Sequence, residues 1–185
     1  MRILFALLTL VLATSLSLAA DPVLLGRVFK VTDGDTIKVQ LQSGPINVRF
    51  DSIDAPESKQ PHGAEATAAL ARLVAGEEVE LEVVSQDRYS RLVAVVHVHG
   101  LNVNQRMVQE GHAWAYRRYS KKPAGTDYCK WEDEARKKKL GLWSLPSSDW
   151  IYPSDWRLVR RHQITNAPPL SNETRASCIA AIGKR

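Results

Sequence analysis

The sequence predicts an α+β fold that is mainly β: a small closed barrel of five strands carrying three helices, followed by a C-terminal extension. Two patterns carry this expectation. From Val23 to Val98 the apolar residues recur mostly at period two, the spacing of half-buried antiparallel strands. Three further stretches repeat at helical spacing, and each is followed by a glycine.

Taken in order, the chain opens with Met1-Arg2, an apolar run Ile3 to Leu12 and small residues Ala13 to Ala20 before Asp21-Pro22. That is the layout of a secretory signal peptide over 1–20, which implies export to a periplasm or outside the cell. The run is well short of the ~20 residues that span a bilayer, so stable membrane insertion is not expected. Strands are expected near 24–31, 36–42 and 46–52, separated by the turn signals Asp33-Gly34-Asp35 and Ser43-Gly44-Pro45. In the second, Ile37, Val39 and Leu41 alternate with Thr36, Lys38, Gln40 and Gln42. Two more are expected near 78–86 and 91–98; Val79, Leu81 and Val83 alternate with glutamates in the first of them.

Between the third and fourth strands Ala66, Ala69, Leu70, Leu73 and Val74 place a helix near 63–75, stopped by Gly76. A second helix spans 102–110, started by Asn102 or Asn104 and stopped by Gly111. A third fits 127–139, with Tyr128, Trp131 and Ala135 on one face and lysines in the last turn, where they suit the helix dipole. The reading therefore divides the chain into a leader at 1–20, one domain at 21–143 and a loosely packed basic extension at 144–185 that contains Pro and Trp. Cys129 and Cys178 are an even pair that an oxidising compartment could join, and the sequence leaves two free thiols equally open.

Charge is unevenly spread. Residues 21–116 hold 9 Lys/Arg and 13 Asp/Glu, whereas 117–185 hold 15 and 7. A basic region of this kind can draw nucleic acid, anionic lipid or nothing beyond water. Acidic residues cluster at two turns, Asp33-Gly34-Asp35-Thr36 and Asp51-Ser52-Ile53-Asp54-Ala55-Pro56-Glu57. Hard oxygen donors with no His or Cys nearby favour Ca²⁺ or Mg²⁺. Asp-Gly is also an ordinary hairpin turn. Arg49 and Arg91 lie within or at the ends of apolar strands, where a guanidinium needs a partner. That partner is either a phosphate or an internal acid such as Asp51, Glu57 or Asp87. His97-x-His99 places two rings on one strand face, a pairing zinc accepts, without a third ligand in view.

The motifs Asp33-Gly34-Asp35-Thr36, Arg49-x4-Asp54-Ala55-Pro56-Glu57, Gly63-x-Glu65-Ala66, Asp87-x-Tyr89-Ser90-Arg91 and Gly111-x-Ala113 resemble the staphylococcal nuclease family, from about Gly26 to Trp143. The resemblance implies a five-stranded OB-fold barrel and a Ca²⁺-dependent nuclease acting on DNA or RNA. In that pattern Asp35, Asp54 and the carbonyl of Ala55 would hold Ca²⁺. Arg49 and Arg91 would grip the phosphate, and Glu57 would position or deprotonate the attacking water, leaving 3′-phosphate ends. Arg88, Tyr89 and Tyr116 would contact substrate, with Trp114 and Tyr119 as further aromatic candidates. The chain departs from the family pattern at Ala55, where Thr is usual, and at Ser52 and Ser90, where Gly is usual. A non-catalytic OB-fold module that binds nucleic acid is the rival expectation, and a monomer is the expected state.

Overall fold

A computed structural model of the chain describes residues 23–118, 120 and 124–184; the expected leader and Tyr119 lie outside the described residues. Strands β1 (Val23–Asp33), β2 (Thr36–Leu41) and β3 (Gly44–Phe50) form an antiparallel meander, and the two-residue β4 (Ile53–Asp54) follows. Helix α1 (Gly63–Val74) leads to the hairpin of β5 (Glu78–Gln86) and β6 (Leu92–Val98). Next come β7 (Leu101–Asn102), α2 (Val103–Gln109), β8 (Trp114–Ala115), α3 (Ala124–Lys137), α4 (Pro153–Arg160) and α5 (Arg175–Ala181). β1 also pairs with β5, and β3 runs parallel to β6 through Val48↔Leu92, Arg49↔Val93 and Phe50↔Ala94. That last pairing closes five strands into a barrel and removes the long open edges.

Period two becomes burial as expected. Ile37, Val39, Val48, Phe50, Val79, Leu81, Ala94 and Val96 point inward, and Ala69, Leu70 and Val74 of α1 close one end of the core with Met107 and Val108 of α2. β3 stops at Phe50, two residues before the expected end, because Ser52 takes a left-handed conformation (φ 60°) that a strand cannot continue. Asn102 is the cap of α2, its side chain accepting from the Gln105 N–H. Asn104 is fully buried instead: its Oδ1 accepts from Val96 N–H, and its amide donates to the carbonyls of Asp51 and Ala94. α3 begins at Ala124, three residues earlier than expected, and ends at Lys137.

The extension is not loosely packed. Tyr152 is buried against Trp114 and Trp143, with Trp150 and Leu170 packed beside them. A buried ionic cluster joins the extension to the domain. Arg117 donates to Glu132 at 2.9 Å and to both oxygens of Glu173, while Arg136 donates to Glu132 at 2.8 Å and to the Leu170 and Glu173 carbonyls. A disulfide between Cys129 of α3 and Cys178 of α5 fixes the far end. Pro, Ser and Trp mask any periodicity here, because this segment is held by single anchors rather than by a continuous apolar face. Among the described residues no helix is long and apolar enough to cross a membrane.

Candidate active site

Three local structures bring the site together. The tight β1–β2 turn carries Asp35, whose backbone N–H is taken by the Asp33 carboxylate. β3 presents Arg49 on its outer face, since its neighbours Val48 and Phe50 point into the core. β4, which pairs Asp54 with Trp114 of β8, delivers Asp54 with no solvent exposure. The Arg49 guanidinium bridges the two acids, 2.9 Å to Asp35 Oδ2 and 2.9 Å to Asp54 Oδ1. Asp35 Oδ2 also accepts the Ala55 N–H at 2.6 Å, so it is the amide of Ala55 that makes the observed contact. Of the internal partners open to Arg49 in the sequence, neither Asp51 nor Glu57 is the one used.

Burial pushes the Asp35 carboxyl up, to about 8; Arg49 pulls against that rise, while Asp33 and Asp54 add to it. Arg49 is held above its ordinary value because Asp35 and Asp54 outweigh the cost of its burial. Close approach sets the Glu57 backbone: a Cβ at Gly63 would stand 1.9 Å from the Glu57 carbonyl oxygen, so the start of α1 tolerates only glycine there. The Glu57 N–H donates to Gln60 Oε1.

Arg91 stands apart from the carboxylates. Its guanidinium donates to Asp87 at 2.8 Å, the internal pairing the sequence left open, and lies 5.5 Å from the Tyr89 ring. By register it precedes Val93, the parallel partner of Arg49, by two residues, immediately before β6. Tyr89 is 60% exposed, with Arg88 and Arg91 against its ring. Tyr116 lies 5.7 Å below the Arg49 guanidinium, which puts its face at the site. Trp114 does not offer one, being buried edge-on to Trp143 and Tyr152. His97 and His99 do not share a strand face either: β6 ends at Val98, and His99 sits in the following turn at φ 49°. Ser52 and Ser90, at φ 60° and 61°, both occupy left-handed positions that glycine adopts without strain.

The sequence missed Arg157. From α4 its guanidinium donates to Asp54 Oδ1 (3.1 Å), Asp54 Oδ2 (3.0 Å) and Glu57 Oε1 (2.7 Å). Asp54 and Glu57 hold it above its ordinary value, outweighing the cost of burial. Tyr152 and Gln60 were missed with it: the Tyr152 hydroxyl donates to the Ala115 carbonyl, and Gln60 Nε2 donates to the Ile151 carbonyl. One signal was available. Asp33, Asp35, Asp54 and Glu57 outnumber Arg49, and two of them, Asp35 and Asp54, are buried, so a further cation was owed from elsewhere in the chain.

Among the described residues no three His, Cys, Asp or Glu side chains converge as an ion-holding cluster. The donor chemistry at Asp35 and Asp54 nevertheless fits a hard divalent cation. Both are buried oxygen donors, none of their hydrogen-bonding partners is an imidazole or thiol, and the rise of Asp35 under burial is of the kind that added positive charge opposes, as Arg49 already does.

Comparison with known proteins agrees with this geometry. Residues 47–145 match the family described as staphylococcal nuclease homologue. A micrococcal nuclease of Shigella flexneri is 40% identical over 146 residues, 74% of this chain and 82% of that protein. An uncharacterized endonuclease of Escherichia coli is 41% identical over 133 residues, 71% of this chain and 84% of that protein. A staphylococcal-like nuclease of Arabidopsis thaliana is 40% identical over 116 residues, 63% of this chain and 34% of that protein. The match spans Arg49, Asp54, Glu57 and Arg91, and the chain belongs to the staphylococcal nuclease family.

Proposed function

We propose that the chain is an exported, Ca²⁺-dependent nuclease that hydrolyses phosphodiester bonds of DNA or RNA and leaves 3′-phosphate ends. The observation that carries it is the Arg49 fork spanning Asp35 and Asp54 at 2.9 Å each, beside Glu57, in a chain of this family. The Cys129–Cys178 disulfide supports an oxidising compartment.

A phosphodiester repels nucleophiles by its own charge, so hydrolysis needs cations where charge develops and a water aimed in line. Asp35 and Asp54 would hold Ca²⁺, with the Ala55 carbonyl as a third donor; when bound, the ion neutralises the phosphate and polarises it toward attack. Arg49, fixed by two carboxylates, presents a rigid guanidinium to a phosphate oxygen. Arg91 reaches the same phosphate by exchanging Asp87 for it. Glu57, on a backbone set by Gly63, takes the proton of the attacking water or orients it, and the 5′ oxygen leaves. Tyr116 and the Arg88–Tyr89 turn would guide the flanking nucleotides, where stacking on a tyrosine is worth ~1–3 kcal/mol per base.

The test is cleavage of single-stranded DNA, duplex DNA and RNA by the mature protein, with Ca²⁺ or chelator, beside Glu57→Gln. Removing a general base costs roughly 10²–10⁴ in rate. Ca²⁺-dependent cutting that falls by at least ~10² in the variant is expected. Cutting that survives Glu57→Gln unchanged overturns the role of Glu57, and binding without cutting by both proteins would establish a binding module instead.

A further inference from the structure

We propose that Arg157 is a tethered cation that competes with a divalent ion for the Asp54–Glu57 edge of the site, so that the C-terminal segment gates loading of the ion. The inference rests on the nuclease site proposed above and adds to it a residue from outside the barrel.

A carboxylate offers about four lone-pair directions. Asp54 spends one on Arg49 Nη2 at 2.9 Å and two on Arg157, at 3.1 and 3.0 Å. Glu57 Oε1 receives Arg157 Nη1 at 2.7 Å. Arg157 thus takes up donor positions of Asp54, one of the two carboxylates assigned to the ion, and bridges from there to Glu57. An ion and Arg157 cannot use the same lone pairs of Asp54, so they compete for them. Arg157 also quiets Glu57, whose bonded oxygen is withdrawn from any water while the contact lasts.

The contact is built into the fold. The Tyr152 hydroxyl, immediately before α4, donates to Ala115, which pairs with Ile53 next to Asp54. Pro153 then starts α4, and Arg157 follows one turn later. Gln60 ties Ile151 to the loop after Glu57 at 2.6 Å. The position of α4 is therefore set by the strand that carries Asp54 and by the loop that carries Glu57. The Arg157 side chain is nonetheless 26% exposed, and its long stem can swing to solvent while Tyr152 and Gln60 keep their bonds.

Isothermal titration calorimetry of the mature chain with Ca²⁺ alone tests this, comparing wild type with Arg157→Gln, Arg157→Lys and Arg160→Gln. Arg157→Gln is expected to bind Ca²⁺ about tenfold tighter or better, and Arg160→Gln, which removes an exposed charge from the same helix, to stay within about twofold of wild type. An equal or weaker affinity for Arg157→Gln overturns the gate. If Arg157→Gln shows no cooperative melting, Arg157→Lys decides: it cannot bond both carboxylates as a fork, so tighter binding supports the gate and unchanged or weaker binding overturns it. Unchanged affinity with cleavage still Ca²⁺-dependent removes the gate and leaves the nuclease reading standing. No Ca²⁺ binding by any of the proteins, with cleavage that resists chelator, removes the gate and the ion assignment together.

Discussion

Replacing Cys129 and Cys178 together by serine removes the link between α3 and α5 without leaving an odd thiol. The cysteines are 49 residues apart. Closing a loop of that size lowers the entropy of the unfolded chain by about 14 cal/mol/K, or about 4 kcal/mol at 25 °C. In the folded chain α5 keeps other anchors. Glu173 remains on Arg117 and Arg136, and the Gly183 N–H still reaches the Arg117 carbonyl at 2.9 Å. The loss should therefore fall on global stability, with native far-UV circular dichroism retained at low denaturant. Urea unfolding followed by tryptophan fluorescence measures it. With a slope of about 2 kcal/mol/M, the midpoint should fall by about 1.5–2 M, and the slope should rise because the unfolded state expands. Wild type in reductant should follow the variant. A loss below about 1 kcal/mol, or a reductant-insensitive wild type, refutes the reasoning, because the cross-link would then not constrain the unfolded chain.

Ser90 is exposed at φ 61°, so Ser90→Gly relieves a left-handed strain of about 1–2 kcal/mol against a glycine entropy cost of about 0.4–1, and a net gain of roughly 0.5–1 kcal/mol should appear in chemical denaturation. Gly63→Ala puts a Cβ on the Glu57 carbonyl and must displace that backbone by about an ångström, which should lower kcat on the order of 10²-fold while the protein still melts cooperatively. Burial above all, then His62 and Arg72, lowers His112 to about 4, so the folded state keeps this ring neutral where the unfolded chain, at about 6.5, takes up a proton. Its contribution is complete above pH 6.5 and is lost as pH falls toward 4; stability should drop by about 2 kcal/mol across that window, and His112→Gln should flatten the curve.

How legible the molecule was depended on whether a residue's partner lay nearby in sequence. The strands of the barrel could be read because alternation is a local property, and Ile37, Val39, Val79 and Leu81 are buried as their pattern requires. Asp35, Arg49, Asp54 and Glu57 could be recognised because turns and strand ends within 23 residues carry them all. Ser52 and Ser90 showed their strain only as departures from a glycine pattern, since φ is not written in residue type. Arg157 could not be found that way. It lies 100 residues beyond Glu57 in a short helix, and nothing in Trp156-Arg157-Leu158 distinguishes it from Arg160 or Arg161. The extension was misjudged for the same reason: Tyr152, Glu173 and Cys178 hold it from isolated positions by contacts to distant elements, which leaves no periodic trace.

The basic half of the chain must also be reread in that light. Its excess of Lys and Arg suggested attraction of a polyanion, but several of those charges are already engaged. Arg117 and Arg136 neutralise Glu132 and Glu173 in the interior, and Arg157 neutralises Asp54 and Glu57. Those three side chains are nearly or partly buried, and their long-range field is largely cancelled by their partners. The steering of nucleic acid therefore rests on the exposed remainder, including Lys138, Lys139, Arg160 and Arg161. Arg157 acts at contact range instead. A charge counted toward substrate attraction from sequence is, in the folded chain, a partner of Asp54 and Glu57, so neutralising Arg160 and Arg161 should weaken substrate association in a salt-dependent way, whereas, on the proposed gate, neutralising Arg157 should change the affinity for the ion.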